Sequence, residues 1–276
     1  RAASYPETSN QLINKTAIQT FIAEYGAGTI YFDPRSGFPM SITTSIPLIP
    51  GNKQLDPKIV AELFRNFVEK NQAALGIDVN QIGPVKAAKI NDRLWNITIS
   101  QVVNGIPVRW SRYVGVINSG NIILQGAATW ANVKINANPK ISAAQAIDLG
   151  FQYAGGKLSQ DLIWKQPALE ILPTASGSGY GHRLAWVFGF QRAPENPRWE
   201  VMVDAHTSEV LAFQDKNHYI DKQIVGGAYP LTNTEICPDN IRCGILQPNT
   251  PMPFADTGFA TPNDFTNSAG VFDYSS

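Results

Sequence analysis

Apolar and polar positions recur along this chain with two different periods, and the switches between them mark out the elements. Residues 29–45, TIYFDPRSGFPMSITTS, read as strand, turn and strand: Asp33-Pro34 opens the turn, Gly37 supplies adaptable backbone, and β-branched residues follow. In LDPKIVAELFRNFVEKNQAALGI the spacing lengthens to three and four. Ile59, Val60, Leu63, Phe64, Phe67 and Val68 make one apolar stripe, Asp56 is the N-cap, Pro57 the first helical residue and Gly76 the C-cap, which predicts a helix over 57–75. Alternation returns over 85–130. LWNITISQVV and IPVRWSRYVGVI flank Asn104-Gly105, and Ser119-Gly120 repeats the device. This predicts an antiparallel meander with the preceding helix packed on one face.

A second unit starts near Asn138-Pro139. Ser142 caps a helix carrying Ile147, Leu149 and Phe151, and Gly155-Gly156 stop it. Strands are expected near 168–173, 183–191, 198–205 and 209–215, with the polar, Gly-rich TASGSGYG at 174–181 as a loop. From Lys222 onward Pro, Asn and Thr dominate, and the apolar pieces are short, with no helical period. The expected architecture is α+β: an N-terminal extension over 1–28, a sheet-plus-helix module over 29–138, a second over 139–221, and a partial all-β segment over 222–276.

Composition narrows the function. Of 276 residues 43% are apolar, enough for a substantial core, while 22 basic residues balance 22 acidic ones without any block of like charge. A nucleic-acid partner needs a basic stripe, and none is present. Nor is there an apolar run long enough for a transmembrane segment. The chain opens Arg1-Ala2-Ala3-Ser4, without Met or an apolar signal core, and is read as a mature or trimmed product. Polar residues rich in Asn, Gln, Ser and Thr suit a secreted or cell-surface protein. Asn14 and Asn96 stand in N-x-T triplets, which matter only where the source glycosylates.

The candidate chemistry is sparse. His182, His206 and His218 are not spaced as zinc ligands, and no H-E-x-x-H occurs; neither does the G-x-S-x-G nucleophile elbow or a phosphate-binding glycine loop. No metal or cofactor is therefore expected in this chain, and it is not expected to be an enzyme. The stretch NPRWEVMVDAHTSEVLAFQD brings Asp204, His206 and Glu209 together. Trp199, Val201 and Val203 alternate with Glu200, Met202 and Asp204, so His206-Thr207-Ser208-Glu209 is read as a hairpin turn whose backbone donates to Asp204. The six Trp residues, 95, 110, 130, 164, 186 and 199, lie mostly within strands and are assigned to packing.

Two stretches resemble known families. Residues about 29–130, through YFDPRSGFPMSI, the helix ending ALGI and WNITISQVVNGIPVRWSRYVGVINSGNI, resemble the fungalysin/thermolysin propeptide module. Residues about 139–216, through ISAAQAIDLG and RWEVMVDAHTSEVLAF, resemble the PepSY module, with Ser208 where the turn's usual Gly would be. The resemblance implies the non-catalytic prodomain of a secreted zinc metalloprotease precursor, acting as intramolecular chaperone and active-site inhibitor until cleaved. Its partner would be the cognate metalloprotease catalytic domain, in cis or retained after cleavage, and zinc is expected only there. The alternative is a stand-alone secreted or surface interaction module that binds proteases or other partners in trans. The tail MPFADTGFATPNDFTNSAGVFDY is similar to a turn of small immunoglobulin-like or transthyretin-like modules. Its last residues, Tyr274, Ser275 and Ser276, are candidates for a maturation cleavage site and cleft-binding segment, set against an accidental nick in an exposed loop.

Cys237 and Cys243, in EICPDNIRCGIL, are the two cysteines. Arg242-Cys243-Gly244 resembles the cysteine switch of matrix metalloprotease proforms, but Ile241 replaces the usual proline and a second Cys is near, so a short-loop disulfide is preferred. So small a loop staples its own segment rather than a domain. Mass spectrometry of the unreduced chain is expected to show the Cys237–Cys243 link. A free Cys243 thiolate holding zinc would restore the switch.

Overall fold

Residues 7–50, 55–175, 179–192, 198–217, 221–223, 225–228, 247–255 and 266–273 are described by a computed structural model. The N-terminal extension, for which no element is expected from the sequence, contains two helices. Helix α1 (Ser9–Ile13) is opened by a capping box between Thr8 and Gln11, and α2 (Thr16–Tyr25) is closed by Gly26 in the left-handed conformation. Ile18 and Phe21 of α2 enter the core, and Phe21 and Tyr25 meet Phe67 edge-on. The extension is thus a layer of the fold.

Strands β1 (Ile30–Phe32) and β2 (Pro39–Pro47) precede the predicted helix, which divides in two. Helix α3 (Pro57–Lys70) has Asp56 as its N-cap and Pro57 at its start; it ends where the Asn71 side-chain amide donates to the Phe67 carbonyl, and α4 (Gln72–Leu75) then runs to Gly76. Val60, Phe64, Phe67 and Val68 are buried, but Ile59 is 46% exposed. Successive helical residues point about 100° apart, so Ile59, one step from Val60, turns out of the stripe. Strand β3 (Ile82–Lys89) follows, then the long meander strands β4 (Leu94–Val103), β5 (Ile106–Asn118) and β6 (Asn121–Ala128). Positive φ at Asn104 and Gly105, and again at Ser119 and Gly120, gives both hairpins turns that match the right-handed strand twist. Trp95, Ile97, Ile99, Tyr113, Ile117 and Ile122 face inward from this sheet into the same core as α2 and α3.

Past the linker, Ser142 and Gln145 form the capping box of helix α5 (Ala143–Tyr153). Strands β7 (Leu162–Ala175) and β8 (Tyr180–Gln191) are longer than their predicted spans, and both enter the stretch expected as loop. Strands β9 (Arg198–Asp204) and β10 (Val210–Asp215) complete a ten-stranded sheet whose main path is β1-β2-β6-β5-β7-β8-β9-β10, with β3 and β4 branching from β5. The pairing is antiparallel everywhere except β5 with β7. On one face of the second half, Phe188, Phe190, Val201 and Val203 pack with Ala146 and Phe151 of α5; on the other, Leu172, Ala185, Val187 and Met202 form a separate cluster. Both sets of the alternation in β9 are therefore buried, including Glu200 and Asp204.

The chain divides into two compact units, 1–215 and 216–276. A core of Val103, Val108, Val133, Ile171, Leu184 and Ala205 draws on residues from both sides of Asn138-Pro139, within the first unit. In the second unit β11 (Asp221–Gln223) pairs with β14 (Val271–Asp273) and β12 (Val225–Ala228) with β13 (Gln247–Pro251), both antiparallel, and its described residues hold strands and turns. The fold is α+β. None of its helices, among the described residues, is long and apolar enough to cross a membrane. Asn14 and Asn96 are both exposed.

The seat of α3 on the sheet is visible at Gly115, where an added Cβ would lie 2.3 Å from the Phe64 ring. Phe64 is fully buried. Phe64→Ala is expected to cost about 3–5 kcal/mol and Gly115→Ala about 1–3 kcal/mol, the first by a cavity and the second by overpacking. Denaturant midpoints of the two variants check this, and an unmoved midpoint for Phe64→Ala would remove the helix from the sheet.

Candidate functional site

Strand β5 changes partners in mid-course. Its pairing with β4 jumps from Val102↔Pro107 to Ser100↔Arg112, leaving Val108 to Ser111 opposite Gln101 alone. Val108 instead pairs with Ile171 of β7 in parallel, and Trp110 takes φ +62° at the bend. A buried polar network fixes the bend from below. The Ser111 hydroxyl donates to Gln101 Oε1 at 2.5 Å, and Gln101 Nε2 donates to Gln81 Oε1 and to the Ala131 carbonyl, both at 2.7 Å. Gln81 in turn accepts from the Val133 N–H and donates to the Val133 carbonyl, each at 3.0 Å, which ties the outgoing linker to the sheet.

Beside the bend, Arg109 crosses to the second half. Its Nη1 donates to Glu170 Oε2 at 2.9 Å and its Nη2 to Glu200 Oε1 at 2.5 Å; Lys165 Nζ donates to Glu170 Oε1 and Glu200 Oε2, both at 2.9 Å. Two cations and two carboxylates thus balance with no net charge, Arg109 Nε is buried without a hydrogen-bond partner among the described residues, and the Glu200 side chain is only 5% exposed. Burial by itself would raise the Glu200 carboxyl, but hydrogen bonds from Lys165 and Arg109 and their charges outweigh it and hold the group below its ordinary value. A carboxylate kept ionised and bonded at both oxygens supplies position rather than proton transfer. The guanidinium of Arg109 also lies 5.0 Å from the ring centroid of Trp110, which is 54% exposed.

The Asp204-to-Glu209 stretch is the turn between β9 and β10. Asp204 Oδ1 accepts from the N–H groups of His206 and Thr207 at 2.8 and 2.7 Å, and Oδ2 from Arg183 Nε at 2.7 Å. Arg183 Nη2 reaches Glu209 Oε2 at 2.6 Å. Ser208 adopts φ +66°, so this position keeps the left-handed conformation that a Gly takes more easily. Burial pushes the Asp204 carboxyl up, and the Thr207 and His206 N–H groups with Arg183 more than reverse it. His206 Nε2 lies 3.0 Å from the Asn138 carbonyl, facing the linker rather than either acid. Each of the three residues has a structural partner.

His182 is half-buried and its Nε2 has no hydrogen-bond partner among the described residues; burial lowers its pKa. Next to it on β8, the Tyr180 hydroxyl donates to Asp33 Oδ2 at 3.0 Å, joining the β7–β8 hairpin to the β1–β2 turn, and burial with the Asp33 charge pushes Tyr180 up to about 12. His218, Cys237, Cys243, Tyr274, Ser275 and Ser276 lie outside the described residues. Sequence reading did not single out Arg109, Lys165 or Glu170, placed Glu200 only in the alternation of its strand, and assigned Trp110 to packing, whereas its ring is more than half exposed because it stands at the outward bend of β5. The available signal was Glu200, an acid inside the apolar run of RWEVMVD.

No protein-family profile matches the chain, and no curated protein matches it. Among solved structures it is similar to the Bacillus megaterium YpeB C-terminal domain, at 11% identity and a TM-score of 0.35, over 76% of this chain and 98% of that one. A likeness that distant carries no argument about function.

Arg109→Met leaves the buried Glu200 and the partly buried Glu170 facing Lys165 alone and is expected to cost about 3 kcal/mol at pH 7. The folded-state pKa of Glu200 lies below the unfolded 4.5, so its contribution is complete above that pH and lost as pH falls through the folded value. Glu200→Gln should therefore flatten the acid side of the stability profile below the unfolded value of 4.5, measured by urea unfolding. An unchanged acid slope would show that Glu200 is not held ionised.

Proposed function

We propose that this chain is the non-catalytic prodomain of a secreted zinc metalloprotease precursor, which guides folding of the peptidase domain and blocks its active site until cleaved. The reading begins from the order of the two stretches that resemble propeptide and PepSY modules. The observation that carries it is their mechanical coupling: β5 of the first pairs with β7 of the second, and Arg109 joins their charges. A folding template must keep its own shape while its client is still loose. Two modules sharing one sheet, a buried amide network and a closed ion cluster meet that demand better than two beads on a linker. Asp204, His206 and Glu209 fit the same reading, since they shape a turn and leave the work to a surface.

The test is to refold the peptidase domain of the same precursor with and without this chain, and to assay the folded peptidase with the chain added in trans. The expected results are a higher yield of active peptidase and slower substrate hydrolysis. A chain that changes neither, at a several-fold molar excess, rules the proposal out. Binding to unrelated proteins instead would favour a stand-alone interaction module.

A further inference from the structure

The bend of β5 places Trp110 in a position that the fold does not explain. A left-handed backbone crowds the β-carbon of any L-residue, and for a bulky side chain it is a strained state that persists only when its surroundings impose it. Elsewhere in the first unit the chain fills such positions with Gly, Asn, Ser or Thr. At residue 110 the largest side chain stands there instead, with more than half its surface in solvent. Its indole N–H, a donor only, has no bond among the described residues. Tyr31, Tyr153 and Leu162 are also exposed, but on ordinary backbone. Phe254, in the second unit, combines exposure with positive φ but has no cation stacked on it among the described residues.

What distinguishes Trp110 is its support. Arg109 covers one side of the ring at 5.0 Å, and Arg109 itself is clamped by Glu170 and Glu200. Stacking on a clamped guanidinium restrains the exposed ring, so less side-chain freedom remains to be lost when a partner closes over it. Large aromatic side chains presented this way are the residues on which protein interfaces concentrate their binding energy.

We infer that Trp110 is the anchor by which this chain holds the peptidase domain, entering an apolar recess on that domain that offers an acceptor to the indole N–H; this rests on the prodomain reading above. The bend needs only a residue that tolerates positive φ, whereas the partner needs the ring, and the two demands separate in Trp110→Gly. That variant relieves the strained backbone and keeps the bend. Its thermal midpoint is expected to equal or exceed that of the wild type, while its inhibition constant against the peptidase domain of the same precursor rises at least tenfold. Trp110→Asn, which also suits positive φ, should behave alike, and Trp110→Tyr should keep most of the inhibition. Wild-type inhibition that survives undiminished in the folded Gly and Asn variants overturns the anchor and leaves the prodomain function standing. A lowered midpoint in both variants overturns it too, because the ring would then serve the fold. Failure of the wild-type chain itself to inhibit or assist the peptidase removes the prodomain reading, and the anchor with it.

Discussion

The first unit depends on how one strand passes from one half of the sheet to the other. β5 pairs with β4 on both sides of its bend, with β6 along its C-terminal part, and with β7 at Val108 in its N-terminal part. That transfer requires a bend, and a bend in a paired strand leaves backbone groups and side chains in need of partners. Ser111 and Gln101 supply them on one side, and Arg109 with its two glutamates on the other. The parallel contact is short, and side chains rather than a long ladder of backbone bonds hold the joint. Removing one charge leaves the other three unbalanced in a largely desolvated site, so the cluster acts as a condition on the fold more than as a source of net stability.

The features legible in the sequence are the local ones. Asn104-Gly105 and Ser119-Gly120 specify their turns through their own φ preferences, and Asp56-Pro57 specifies a helix start, because the cause of each lies within a few residues. Helix α1 is too short to show an apolar stripe, but α2 carries one at Ile18, Phe21, Ile22 and Tyr25 and is closed by Gly26, so the signal for it stood in the sequence. Ile59 was read as buried because adjacent apolar residues do not show which one faces the sheet. The Asp204 turn was legible because its bonds reach two and three residues along the chain. The ion cluster was not, because Arg109 meets partners 61 and 91 residues away and no period in the sequence records that.

Burial on both faces of β9 also changes how a charged residue in a strand is read. With one face wet, Glu200 would be an ordinary solvent-facing acid. With Val201 and Val203 on one side and Met202 on the other, it occupies an interior site and is admitted only as half of a matched pair of charges. The same holds for Asp204, whose partners are backbone N–H groups and Arg183.

The distance along the chain between Arg109 and its partners also has a kinetic side. Contacts such as the β4–β5 and β5–β6 hairpins close loops of two residues, whereas the joint closes one of dozens, and rates of folding fall as contacts become less local. The entropy of closure grows only with the logarithm of loop length, about 0.6 kcal/mol for each doubling. The joint is therefore slow to find rather than expensive to keep. Until it forms, the β7-facing edge of β5 and the β5-facing edge of β7 are open strands able to pair with another chain. The four charges then act as a gate on that pairing: a foreign strand that does not bring the matching acids or bases to Arg109, or to Lys165 and the glutamates, meets a charge with nothing to neutralise it.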